Sequence, residues 1–410
     1  MLSYAVPSLF VSVGATGPAV IPLTLLIVFV SAKLMAELFE RLNQPGIVGE
    51  ILAGVIIGPS VLGLLAPSEF LSALSEMGAM FLLFRVGLEV KSSELMQLGG
   101  TATLVAVIGV IVPFIFGTGI LLAWNASVNE AIFVGAAMVA TSVGITAQVL
   151  SEKGLLHEIS SKIILAAAVI DDVLGLLVLA VVSSLARGKL DFLNLGITAV
   201  GAVGFTLIVA KWGAQAMGKL APHTESKLRL VEARFAVAMA ILFALSLFAV
   251  YTGVAAIVGA FLAGLALGES SGRRERDLVA GVAELMVPFF LAGIGLHMDL
   301  SALANGSTAA LAVIILLAAV ISKFIGCGLG AMKLGKADAF RVGVGMIPRG
   351  EVGMVVAQIG LGLGIITQPV YGIVVLMSVA TTILAPPLIK IAYGGLLGRL
   401  RPEEETFRLG

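Results

Sequence analysis

Two adjacent aspartates stand in the middle of an otherwise uncharged apolar run, ILAAAVIDDVLGLLVLA, from Ile164 to Ala180. Asp171 and Asp172 have no basic residue within about two helical turns on either side. A carboxylate at bilayer depth costs roughly 2.5–3.5 kcal/mol on insertion scales. Two in succession must therefore face protein or water, and the chemistry they point to is that of an ion or proton site. A lone lysine, Lys323, sits in a second apolar run, VISKFIG, and needs a partner for the same reason. Two further segments carry polar groups at depth. ATSVGIT (140–146) holds hydroxyls and Gly144, and GVGMIPRGEVG (343–353) stacks glycines around Pro348, Arg349 and Glu351. Proline removes a backbone donor and glycine weakens a helix. Backbone groups freed at that depth must line a cavity or be buried in protein. Interrupted half-helices would present carbonyls to a cation, and Arg349 and Glu351 would neutralise the partial charges of their ends.

The chain that carries these residues is almost wholly apolar. Of its 410 residues 59% are hydrophobic and 12% charged, where a soluble globular domain is about a quarter charged. A spanning helix needs about 20 apolar residues, and such runs recur along the whole length. The composition predicts an all-α polytopic membrane protein and excludes a soluble enzyme or a nucleic-acid binder. The single cysteine, Cys327, rules out an internal disulfide, and the first basic residue, Lys33, comes too late for the charged start of a signal peptide. Thirteen spans are expected at 18–39, 44–62, 73–91, 98–123, 129–152, 159–186, 192–217, 230–251, 253–269, 278–299, 306–331, 338–364 and 368–397. With the N-terminus outside, one set of loops collects basic residues from Arg41 and Lys91 through Arg273, Arg274 and Arg276 to Arg399 and Arg401. The other set holds only Arg187 and Lys189. The positive-inside bias then puts the C-terminus in the cytoplasm of a cell (inner) membrane protein.

The sequence also repeats itself. IVGEILAGVIIG, from Ile47, recurs as IVGAFLAGLALG from Ile257; FLLFRVGL, from Phe81, recurs as FFLAGIGL from Phe289; Val143-Gly144 recurs as Val352-Gly353. The offsets are all close to 209 residues (257 − 47, 289 − 81, 352 − 143). Six spans per repeat with a single linking span require the halves to insert with opposite orientation, an inverted repeat of the kind common in secondary transporters. Both interrupted segments fall at matching places, which points to a binding site where two broken helices cross. The charges are not duplicated: the position matching Asp171 falls near Ala380, beside Thr381 and Thr382, and that matching Lys323 near Phe114.

The segments NQPGIVGE (43–50), FLLFRVGLE (81–89), ATSVGITA (140–147), AVIDDVLG (168–175) and GMIPRGEVG (345–353) occur in order. In them the chain resembles the sodium/proton antiporters of the monovalent cation:proton antiporter superfamily, second branch, in their thirteen-helix bacterial NapA type. The resemblance implies an NhaA-like antiporter fold. It implies a dimerisation domain from 1–97 and 230–305, a core ion-transport domain from 98–190 and 306–410, and a linker over 191–229. It implies a homodimer serving sodium and pH homeostasis, with no cofactor beyond the transported ions. It further implies that Asp172 binds Na+ or Li+, that Thr141 and Ser142 line the site, and that Asp171 pairs with Lys323. Retention of both Asp171 and Lys323 favours electrogenic sodium/proton exchange over potassium/proton exchange.

Elementary geometry agrees with a division of labour. Neighbours on a helix point about 100° apart, so one aspartate can face a cavity while the other turns to a partner helix. A Lys323–Asp171 contact would satisfy both groups and leave Asp172 for a cation. Hydroxyl and carbonyl oxygens suit a hard alkali cation. His157, His223 and His297 fall in or near loops and are expected at the surface. Arg85 and Glu89 have the spacing of a helical ion pair. Glu50 is deeper and has no basic residue on its own span, and Glu284 is similar. The rival chemistries are a K+/H+ antiporter, a cation channel and an intramembrane aspartyl protease. The last needs two carboxylates about 3 Å apart from different helices, which adjacent residues do not provide.

Overall fold

The computed structural model describes residues 20–42, 44–91, 97–186, 196, 200–209, 213, 232–298 and 306–396, without the side chains of 183–186 and 351. Arg187, Lys189, His223, the segment 219–231 and the tail beyond 396 lie outside the described residues. Among those described, every regular element is helical. Eight helices are long and apolar enough to cross a membrane: α1 Val20–Arg41, α3 Glu69–Glu89, α4 Gly99–Ala123, α7 Ile159–Ala186, α9 Ala233–Tyr251, α11 Arg273–Leu296, α12 Gly306–Gly330 and α15 Gln368–Ala392. Between them lie shorter helices: α2 Gly46–Ile57, α5 Val128–Ala137, α6 Val143–Glu152, α8 Val200–Val209, α10 Ala256–Leu267, α13 Lys336–Gly345 and α14 Glu351–Gly362.

Two helices begin about a turn ahead of the expected spans, for one reason. α3 begins at Glu69 because the Ser68 hydroxyl accepts from the Leu71 amide. α11 begins at Arg273 because the Glu275 carboxylate accepts from the Gly272 amide. Polar first turns read as loop, yet capped they are helix.

The helices pack in two groups. α1, α2, α3, α9, α10 and α11 contact one another, as do α4–α7 and α12–α15, and the groups meet mainly where α3 touches α6 and α2 touches α15. Close backbone approach binds each group. A Cβ on Gly295 would lie 2.1 Å from the Ile51 carbonyl oxygen, and one on Gly54 would lie 1.9 Å from that of Ala292. Only glycine permits α2 and α11 to run so close, the small-residue packing used where lipid offers no hydrophobic drive.

The aspartate-bearing helix α7 is tied down at its first turn. The buried Tyr393 hydroxyl hydrogen-bonds Ser160 (3.1 Å) and Ser161 (3.2 Å), and Arg341 lies 5.5 Å over the Tyr393 ring. These contacts fix α7 against α13 and the end of α15.

Candidate functional site

Two expected spans are interrupted. Residues 138–142 separate α5 from α6, and residues 346–350 separate α13 from α14. Pro348 lies inside the second interruption. Gly144 does not lie in the first: it is the second residue of α6, where a Cβ would come within 3.1–3.2 Å of the Phe290 ring. Its size serves the contact between the helix groups, not the break. The interruptions are joined directly. The Ser142 amide donates to the Pro348 carbonyl at 2.9 Å, and the Thr146 hydroxyl donates to the Gly345 carbonyl at 2.6 Å. A Cβ on Gly350 would sit 2.5 Å from that of Ser142, so the crossing closes only over a glycine.

The carbonyls at the end of α5 are taken up by protein cations, not left open to a transported ion. The Val139 carbonyl accepts from Lys323 Nζ (2.8 Å) and from Arg349 Nη1 (3.2 Å); the Ala140 carbonyl also accepts from Nη1 (3.2 Å). Arg349 Nη2 reaches the Ala319 carbonyl of α12 at 3.1 Å. A fully buried guanidinium (0% exposed) thus neutralises the negative end of a half-helix. Glu351 is the first residue of α14, but its side chain lies outside the described set.

Lys323 is equally buried and completes its donor set with the Gly109 carbonyl (2.9 Å) and Asp171 Oδ1 (3.0 Å). The ion pair has both side chains at 0% exposure. Among the described residues, neither Asp171 Oδ2 nor Thr141 Oγ1, both buried, has a hydrogen-bond partner. Asp172 is turned elsewhere. It is 8% exposed and lines a small cavity of about 10 Å³ with Leu83, Val143, Leu165, Val169, Val258 and Phe261, about the size of one water. α3 and α10 supply one wall, α6 and α7 the other, so the cavity lies between the two helix groups. Thr141 and Ser142 precede Val143, which lines it; both are buried in the crossing.

Glu50 is buried and its partner is Lys33 of α1, at 3.0 Å, seventeen residues earlier in the chain. Lys33 is itself a lone cation in an apolar run, and that was the available signal. Arg85 and Glu89 are paired at 3.6 Å and Glu284 is exposed. His157 is exposed, while His297 is half-buried at the end of α11, its Nδ1 2.8 Å from the Gly293 carbonyl. Thr146, Thr381 and Thr382 carry contacts that sequence reasoning did not assign.

The sequence model of the family described as sodium/hydrogen exchanger, transmembrane, matches residues 23–392. The chain belongs to the sodium/hydrogen exchanger family. It is a multi-pass membrane transporter and not an enzyme, so the protease alternative falls. The chain is 34% identical to the high-affinity Na(+)/H(+) antiporter NhaS3 of Synechocystis, over 93% of this chain and 92% of that one. It is 34% identical to the Na(+)/H(+)-K(+) antiporter GerN of Bacillus cereus, over 90% and 95%. The solved sodium proton antiporter MjNhaP1 of Methanocaldococcus jannaschii matches with a TM-score of 0.64 at 20% identity, over 92% of this chain and 97% of that one. At that identity the likeness is one of fold.

Proposed function

We propose that this chain exchanges Na+ or Li+ for H+ across the cell membrane by competition at Asp172. The observation that carries the reading is the contrast between the two aspartates. Asp171 is locked in a fully buried pair with Lys323, while Asp172 lies in the wall of a small cavity between two helix groups. A single carboxylate holds a proton or an alkali cation, so each leaves before the other binds, and exchange is obligatory. Thr141 and Ser142 would contribute oxygen ligands. The names of the relatives NhaS3 and GerN support sodium.

In this reading α4–α7 and α12–α15 (residues 98–190 and 306–410) form the moving core. The helices of 1–97 and 230–305 form the dimerisation domain, and 191–229 links them. Thirteen spans in two inverted repeats, N-terminus outside, fit the two matched interruptions and the basic loops. The core would move against α3 and α10 to open Asp172 to each side in turn. Proton release by Lys323 when Asp171 or the bound cation changes state would move a second proton per cycle. Two protons for one sodium ion transfers one net charge, worth about 2.3 kcal/mol per 100 mV.

Proton movement in proteoliposomes, with Na+, Li+ and K+ supplied in turn, tests the reading. Saturable exchange with Na+ and Li+ is expected. Equal or greater response to K+ would favour a K+/H+ antiporter, for which the K(+) in the name of GerN is the supporting observation. Unsaturable, uncoupled flux would indicate a channel.

A further inference from the structure

Thr381 and Thr382 lie beside the position that, at the offset of about 209, matches the aspartate pair, and both act on Arg349. The Arg349 amide donates to Thr381 Oγ1 at 3.1 Å, and Thr382 Oγ1 donates to the Arg349 carbonyl at 2.7 Å. Thr381 donates in turn to the Met377 carbonyl one turn back on α15 (2.8 Å), while the single hydroxyl proton of Thr382 is shared between the Arg349 carbonyl and that of Ser378 (2.9 Å). All three residues are fully buried. Arg349 belongs to neither half-helix, so no helical ladder fixes its peptide; the two threonines do.

The consequence reaches Lys323. The Val139 carbonyl is a shared acceptor, 2.8 Å from Lys323 Nζ and 3.2 Å from Arg349 Nη1. The charged or titratable groups acting on Lys323 are Asp171 of α7, Arg349 of the interruption and Cys327 of its own helix. The position of the guanidinium therefore sets both the repulsion Lys323 feels and its share of that carbonyl. We propose that Thr381 and Thr382 are positioning residues that, by clamping the Arg349 peptide, set the pH range over which Lys323 exchanges its proton during transport. The proposal rests on the antiport reading above. A guanidinium that drifts from Val139 takes positive charge away from Lys323 and leaves it the carbonyl, so the ammonium persists to higher pH.

The test compares Thr381→Val, Thr382→Val and the corresponding Ser variants with the wild type, as full-length purified protein. Two readouts are taken: the pH profile of Na+-driven proton movement in proteoliposomes, and the pH profile of thermal unfolding in detergent. The Val variants should move both profiles alkaline by about half a pH unit or more, with Na+ half-saturation at alkaline pH within about twofold of wild type. The Ser variants, which keep the hydroxyl, should overlay the wild type. Monodisperse Val variants with both profiles unmoved would overturn the clamp. Where a Val variant does not fold, Thr382→Ala carries the same two outcomes. A wild type without Na+-coupled proton movement sinks the antiport reading, and the unfolding profiles still decide the clamp.

Discussion

Asp171 and Asp172 are the same residue type one position apart, and their surroundings separate them completely. The 100° turn between neighbours sends Asp171 to Lys323 and Asp172 to the cavity between helix groups. Asp172→Asn is nearly isosteric and cannot cycle between a proton and a cation; Na+/H+ exchange in proteoliposomes should vanish while the protein stays folded. Retained saturable exchange would remove Asp172 from the centre of the mechanism. Lys323→Ala acts differently. It leaves Asp171 buried without its cation, a change that costs about 3–5 kcal/mol where such pairs are broken, and strips a donor from the Gly109 and Val139 carbonyls. The variant should unfold at lower temperature and lose voltage dependence of transport; undiminished electrogenic transport would contradict the role given to Lys323. The charged side chains of this site were legible because a charge in an apolar run demands a partner; the hydroxyls of Thr146, Thr381 and Thr382 were not. The carbonyls of Gly109, Val139 and Ala319 were not, since every residue has a carbonyl and only the fold decides which are left over.

The interruptions are where element and residue meet. Proline and glycine announce a break, but the bounds depend on which carbonyls find partners, and Gly144 turned out to serve packing against Phe290. This difference is testable. Gly350→Ala forces a Cβ to within 2.5 Å of the Ser142 Cβ at a point where backbone joins backbone. It should cost about 1–3 kcal/mol of overpacking, read as a lower unfolding temperature together with loss of transport. Gly144→Ala meets the edge of the Phe290 ring at 3.1–3.2 Å, which can give by a few tenths of an ångström, and should lower the unfolding temperature less than Gly350→Ala does. Equal effects in the two variants would deny the crossing its special tightness. The capped starts of α3 and α11 escaped the periodicity because their first turns are polar, although the Ser68 and Glu275 signals were present in the sequence.

At the scale of the molecule, the cavity at Asp172 is walled by both helix groups, so the proposed movement of one group against the other would change which side reaches it. A bifunctional thiol reagent joining cysteines placed at Leu83 of α3 and Val143 of α6, on opposite walls, should stop transport, and a cleavable linker should restore it. Full activity in the cross-linked protein would show that the walls need not part. Helix content and the membrane class were plain from composition; which helices pack together was not legible in the periodicity, because packing partners far apart in the chain leave no local mark. The most direct test of the whole account is proton release on cation binding, measured with purified protein in weakly buffered detergent solution without a membrane. Adding Na+ or Li+ near the pH of half-maximal transport should release protons saturably from the wild type and none from Asp172→Asn. Sodium binding with no proton release, or release undiminished in Asp172→Asn, would contradict competition at this carboxylate.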